Sequence, residues 1–155
     1  MRIDIQEQQP VAILKDTGLL NLDGKVFTRN TTSYKEILPV FVVAKGYAPE
    51  AVKQYKKNKD ILQKDGLQVR IYYYDERKSQ SIRLTNGIEL VLGRKDVEDR
   101  LQKFVKAYDA YLKHDKAIKK IDLRYTNGLA VSRMKTMAQV RKTSGRFETN
   151  SKRVI

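Results

Sequence analysis

Ile82-Arg83-Leu84-Thr85-Asn86-Gly87-Ile88-Glu89-Leu90-Val91-Leu92 and Ile121-Asp122-Leu123-Arg124-Tyr125-Thr126-Asn127-Gly128-Leu129-Ala130-Val131 share one design. Each is an alternating run, a Thr-Asn-Gly corner, and a second alternating run. Asn-Gly between such runs is the strongest short-range hairpin signal. The hydrophobic register then selects the loop. A two-residue loop puts Leu123 and Leu129 on opposite faces; a three-residue loop sets Tyr125 opposite Leu129 and Leu123 opposite Val131, and the apolar residues share a face. The first stretch gives the same answer, with Leu84 opposite Ile88 and Ile82 opposite Leu90. Both loops are therefore expected to be type I turns closed by a left-handed glycine bulge, at Gly87 and Gly128.

Between the two hairpins Val97, Leu101, Phe104, Val105, Tyr108 and Leu112 recur at helical spacing. Asp96, Glu98 and Asp99 sit where a helix dipole favours acids, which accounts for them without a metal or an acid pair. Upstream, Asp16-Thr17-Gly18 and Asp23-Gly24 punctuate short strands at about 11–15, 19–21 and 25–28. Leu38–Val43 reads as a strand with Pro39 near its start, a position compatible with an edge. Pro49 and Gly66 bracket a helix of about 49–64 with a thin apolar stripe of Val52, Tyr55, Ile61 and Leu62. Leu67, Val69, Ile71 and Tyr73 then alternate with polar neighbours, which sends Tyr73 inward. The whole is an α+β fold: a largely antiparallel sheet, two principal helices packed on it, and a C-terminal hairpin forming a sheet edge.

Composition bounds the function. The 155 residues carry 32 Lys and Arg against 18 Asp and Glu, for a net charge of +14. That favours an acidic partner, nucleic acid or an anionic surface. From Ser132 onward seven cations face the single acid Glu148, on a segment without sustained apolar periodicity. The stretch 134–155 is accordingly expected to be a basic, flexible tail. The chain has no cysteine, which removes disulfides, thiolate chemistry and cysteine metal sites. His114, the only histidine, lies between Lys113 and Asp115 and reads as a solvated residue. No GxGxxG, GxxxxGK[ST], HExxH or GxSxG motif occurs, so no enzyme, cofactor or metal is expected. Lys53, Lys56, Lys57 and Lys59 offer a basic helix face, and a basic nucleic-acid-binding domain is the alternative function.

The final strand, Leu129–Arg133, has no obvious successor in sequence. A terminal strand is either an open edge used for binding or one covered by the tail or an earlier strand. Under the three-residue register Leu129 and Val131 turn their N–H groups to the preceding strand, leaving those of Ala130 and Ser132 outward.

At these residues the chain resembles the β domain of the bacterial cell-division family FtsQ, called DivIB in Gram-positive bacteria. The matching pieces run in order over about residues 3–133: Glu7–Ala12, Leu19–Phe27, Leu38-Pro39, Asn86–Arg94, Arg100-Leu101, Phe104-Val105 and Ile121–Val131. The resemblance implies a non-enzymatic, single-pass inner-membrane protein of the divisome, acting on the periplasmic side at the septum. It implies that residues 1–9 are the end of a truncated POTRA domain and 10–133 the β domain. The chain opens inside a strand-like pattern, and an upstream domain is expected to be missing. In the family this domain recruits FtsB, in complex with FtsL, by strand addition to the last β-strand. Carried over, Arg94, Arg124 and Tyr125 contact the partner, Gly128 shapes the hairpin, and Leu129, Ala130, Val131, Ser132 and Arg133 form the docking edge. Arg124 is expected to fork a carboxylate of the partner. Many members carry a tryptophan shortly after the motif, whereas this chain reads Val131-Ser132-Arg133-Met134.

Overall fold

The computed structural model describes residues 9–126, 128–134 and the backbone of 152–154. The chain runs β1 (Ala12–Leu14), β2 (Gly18–Leu20), β3 (Val26–Thr28), β4 (Val40–Val43), α1 (Ala48–Gln63), β5 (Val69–Tyr74), β6 (Gln80–Leu84) and β7 (Glu89–Gly93). Then follow α2 (Val97–Ala107), continued by a π-helical turn at Tyr108–Leu112, β8 (Ile118–Asp122), β9 (Ala130–Arg133) and β10 (Lys152–Val154). These strands make one sheet in the order β10-β9-β8-β7-β6-β5-β4-β1-β2-β3.

Most neighbours are antiparallel, but β1–β4, β4–β5 and β7–β8 are parallel. A parallel pair cannot be joined by a tight turn and needs a long crossover. α1 supplies it between β4 and β5, and α2 between β7 and β8. The two helices touch one another and lie over one face of the sheet. Pro49 within the first turn of α1 suits its missing N–H. The core is the layer between helices and sheet. Phe41, Tyr72, Ile82, Leu84, Leu90, Leu92, Ile121, Leu123 and Val131 from the sheet meet Ala51, Val52, Tyr55, Leu62, Leu101 and Phe104 from the helices, all buried. Phe41 packs on Tyr55 and Tyr72 with ring centroids 5.0 and 5.1 Å apart, near-edge contacts that aromatic quadrupoles favour.

The α+β class and both helices are as expected; three details differ. Pro39 immediately precedes β4, and the strand is internal rather than an edge, flanked by β1 and β5. The proline costs the sheet nothing there: its carbonyl accepts the Ile13 N–H at 2.9 Å. In β5 the buried tyrosines are Tyr72 and Tyr74, with Tyr73 only half-buried. The cause is a bulge between Val69 and Ile71 against β6, where one extra residue reverses the alternation begun at the buried Leu67. The inward Tyr72 hydroxyl is satisfied by donating to the Gln80 side-chain oxygen at 2.6 Å, which also accepts from Asn58 Nδ2 at 3.0 Å. Burial pushes the Tyr72 hydroxyl far above its ordinary pKa, so it remains a neutral donor.

Thirdly, the β8–β9 hairpin is not the rim of the sheet. β10 lies outside β9, pairing Lys152 with Ser132, Arg153 with Val131 and Val154 with Ala130. Of the alternatives for the last strand, coverage by the basic tail is what the structure records at 152–154. The flexibility expected of 134–155 falls, for 135–151 and 155, outside the described residues, as does, for 1–8, the POTRA end expected at 1–9.

Candidate functional site at the loop end of the last hairpin

β7 and β8 run parallel with Val91 beside Asp122, and this register carries Gly93 up to Arg124. The approach is close. A Cβ on Gly93 would stand 2.8 Å from Arg100 Nη1 and 3.3 Å from Arg124 Cγ, and the residue has φ +73. The left-handed backbone favours glycine here, and a side chain would push the Arg100 guanidinium aside. The consequence of the close approach is that Arg94, one residue beyond, and Tyr125, one residue beyond Arg124, leave the sheet side by side. Both are exposed, Tyr125 to 45%. Among the described residues no hydrogen bond or ion pair engages Arg94.

Arg124 is already occupied. Its Nε donates to Asp122 Oδ1 at 3.0 Å and its Nη2 to Asp122 Oδ2 at 2.7 Å, a two-pronged pair between the last residue of β8 and the second residue beyond it. The Arg124 N–H adds a third bond to Oδ1 at 3.0 Å. Burial pushes the Asp122 carboxyl up, but the hydrogen bonds and charge of Arg124 outweigh it and hold the group below the usual carboxylate range. The same bonds to Asp122 raise Arg124 further. Thus Asp122 already occupies the Arg124 fork that sequence reading reserved for a partner carboxylate. Residues two apart on a strand share a face, so Asp122 was a legible partner for Arg124.

Lys103 was not legible. From α2 its Nζ donates to the carbonyls of Tyr125 at 3.0 Å and Gly128 at 2.8 Å, spanning the loop. Burial, then the neighbouring Arg100 charge, lowers its pKa. Nothing in the helical pattern marks it, because its partners lie 22 and 25 residues away.

The second hairpin departs from its expected register. Ile121 pairs with Val131 and Asp122 with Ala130, which extrapolates to Leu123 opposite Leu129 rather than Val131. Apolar residues still share a face, but the hydrogen-bonding parity is reversed. Leu123 donates its N–H to the Val91 carbonyl at 2.9 Å, so Asp122 and Lys120 turn their backbone to β9. Ala130 and Ser132, opposite them, point inward to β8; the Met134 N–H continues that series, donating to the Ala117 carbonyl at 2.7 Å. The outward groups are those of Val131 and Arg133, not of Ala130 and Ser132 as the sequence register required.

The remaining candidates divide by position. Gly128, Leu129 and Ala130 stand at the loop end, the last two buried. Val131 is a core residue and Ser132 half-buried. Arg133 is at the far end, where its Nε donates to Asp115 Oδ2 at 2.8 Å; that bond draws the Asp115 carboxyl below its ordinary value.

Fold and site together define an α+β domain whose distinctive feature is a cationic, tyrosine-tipped strand end. The model of the family "Cell division protein FtsQ/DivIB, C-terminal" matches residues 12–124. Similar curated proteins are the cell division protein FtsQ of Shewanella oneidensis, 35% identical over 131 residues, 84% of this chain and 50% of that protein. That of Cellvibrio japonicus is 34% identical over 130 residues, 83% and 40% respectively. That of Escherichia coli is 31% identical over 137 residues, 84% and 49% respectively. The chain belongs to the FtsQ/DivIB family of cell-division proteins. It spans half or less of the length of these relatives; among its described residues no helix is long and apolar enough to cross a membrane.

Proposed function

We propose that the chain is a non-enzymatic protein-interaction domain of the divisome, recruiting FtsB in complex with FtsL by strand addition at β9. In the full-length single-pass protein it stands on the periplasmic side of the inner membrane at the septum and links early to late division proteins. The observation that supports this most is that Arg94, just beyond β7, and Arg124 and Tyr125, just beyond β8, stand at the end of the sheet where β9 begins. An exposed tyrosine flanked by arginines is the residue combination that dominates binding energy at protein interfaces. Arg94 supplies an unengaged cation for an acidic strand, and Arg124 a second whose charge is shared with Asp122.

The nucleic-acid reading gains less. Of the basic face on α1, Lys57 is paired with Glu98 at 3.7 Å, and no row of exposed aromatics accompanies it among the described residues. The test is the affinity of the full chain for the periplasmic part of FtsB/FtsL, measured beside random duplex DNA across a salt series. Tyr125→Ala should cost about 2 kcal/mol of FtsB affinity with an unchanged melting temperature, and Arg94→Ala somewhat less. Wild-type affinity in both variants, or DNA binding that outlasts physiological salt, would remove this reading.

A further inference from the structure

β10 covers the strand to which the proposed partner must add. We infer that Lys152–Val154 is a displaceable internal plug on the β9 edge, which an incoming acidic strand has to expel. This rests on the reading above for the identity of the partner, but the plug itself rests on β9 and β10 alone.

The pairing is short and weakly matched. Of the three register positions, Val131 with Arg153 is the one at which backbone groups face each other, because Val131 is the outward residue between Ala130 and Ser132. An antiparallel pair of this kind exchanges two hydrogen bonds, and the flanking positions exchange none. Charge disfavours the arrangement as well: a strand bearing Lys152 and Arg153 is added to β9, one strand away from β8 with Lys119 and Lys120, while Arg133 of β9 is already paired with Asp115. An acidic strand of the same length would replace like charges by opposite ones. A sheet edge left bare invites pairing with any extended chain; a weak cover from the same polypeptide excludes casual partners and yields to a better one. The cover lowers apparent affinity by the fraction of molecules in which it is closed.

The backbone parity provides the experiment. In the 155-residue chain, Arg153→Pro deletes the N–H that faces Val131, whereas Lys152→Pro deletes one that faces away. Amide exchange of Val131 should be slow in the wild type and in Lys152→Pro. In Arg153→Pro it should be roughly tenfold faster, the factor expected when one pair of backbone hydrogen bonds is lost. FtsB/FtsL affinity should rise by a similar factor in Arg153→Pro alone. Equal Val131 exchange in all three chains would overturn the plug. So would faster exchange in Arg153→Pro with no gain in affinity while the wild type binds. Failure of every form to bind would count against the FtsB reading, leaving the plug to be decided by Val131 exchange.

Discussion

The same tripeptide, Thr-Asn-Gly, closes two hairpins that fold differently. At 85–87 the turn is self-sufficient. Leu84 donates to the Ile88 carbonyl at 2.9 Å, Gly87 to the Leu84 carbonyl at 2.9 Å, and Asn86 Oδ1 accepts the Ile88 N–H at 3.0 Å. Gly87 takes φ +92, the left-handed bulge that the sequence calls for. At 126–128 Gly128 has φ +155, well away from that bulge conformation, and the flanks are held from outside by Lys103 and Asp122. The difference begins one residue before the turn. Leu84 is fully buried and closes the first hairpin against Ile88, whereas Tyr125 is 45% exposed. Without a buried residue at that position, the closing apolar pair retreats to Leu123 and Leu129, and the loop widens. A turn motif thus dictates its hairpin only where the residues beside it also belong to the core.

The largest expected effect tests that register. Because Ser132 turns inward, Ser132→Pro removes an internal ladder donor and should destabilise the domain by about 1–3 kcal/mol, the cost of a buried acceptor left unpaired. Chemical denaturation measures it. An unchanged midpoint would restore the three-residue loop that the sequence suggests and remove the contrast between the hairpins.

What was legible follows the same division. The first hairpin, both helices and the α+β class could be read because each rests on periodicity within one segment. The depth of Tyr72 could not, since the bulge that inverts β5 is defined only against β6. Arg94, Arg124 and Tyr125 were singled out through a resemblance, yet what unites them is the parallel β7–β8 register that brings Gly93 to Arg124. The role of Lys103 and the covering of β9 by 152–154 depend on residues far apart in sequence, which no local pattern reports.

Backbone conformation gives the next effect. A methyl group at Gly87 would meet nothing within 4 Å, so Gly87→Ala carries only the left-handed penalty, about 1–2 kcal/mol. Asparagine tolerates the left-handed bulge better than alanine does, so Gly87→Asn should recover part of that loss. The extended, positive φ of Gly128 suits glycine alone, and Gly128→Asn should be no better than Gly128→Ala. Thermal unfolding of the four variants compares them directly. Recovery by asparagine at both positions would mean that the two turns are of the same kind.

A smaller effect is electrostatic. Asp122 binds its proton less readily when folded than when unfolded, because Arg124 favours the carboxylate. As pH falls the unfolded chain therefore takes up the proton first, and stability is lost. The contribution is complete above the ordinary carboxylate pKa near 3.9 and disappears as pH falls through the lower folded value. Arg124→Gln should remove this contribution, about 1 kcal/mol or less for a pair whose arginine is largely solvent-exposed. It should also move the Asp122 titration upward in a carboxyl-resolved NMR experiment. A titration that stays below the ordinary range in Arg124→Gln would show that other groups hold Asp122 ionised.

Lys103 should give the smallest change in stability and the most local one. Its ammonium bridges two carbonyls on opposite sides of the second loop, while the stem runs along α2, so Lys103→Met retains the apolar length and deletes only the donors. The Tyr125 bond is exposed and the Gly128 bond half-buried, so water can take the place of the ammonium, which limits the loss to about 0.5 kcal/mol. The loop itself should respond more. With no left-handed glycine bulge and no buried closing pair at Tyr125, the ammonium is, among the described residues, the side-chain tie that joins its two sides. Amide exchange at Thr126 and Gly128 should therefore accelerate in Lys103→Met, while Gly87 and Ile88 keep their wild-type rates. Acceleration in both loops would indicate general loosening through α2. No acceleration in either would show that the second hairpin, like the first, is determined by its own sequence.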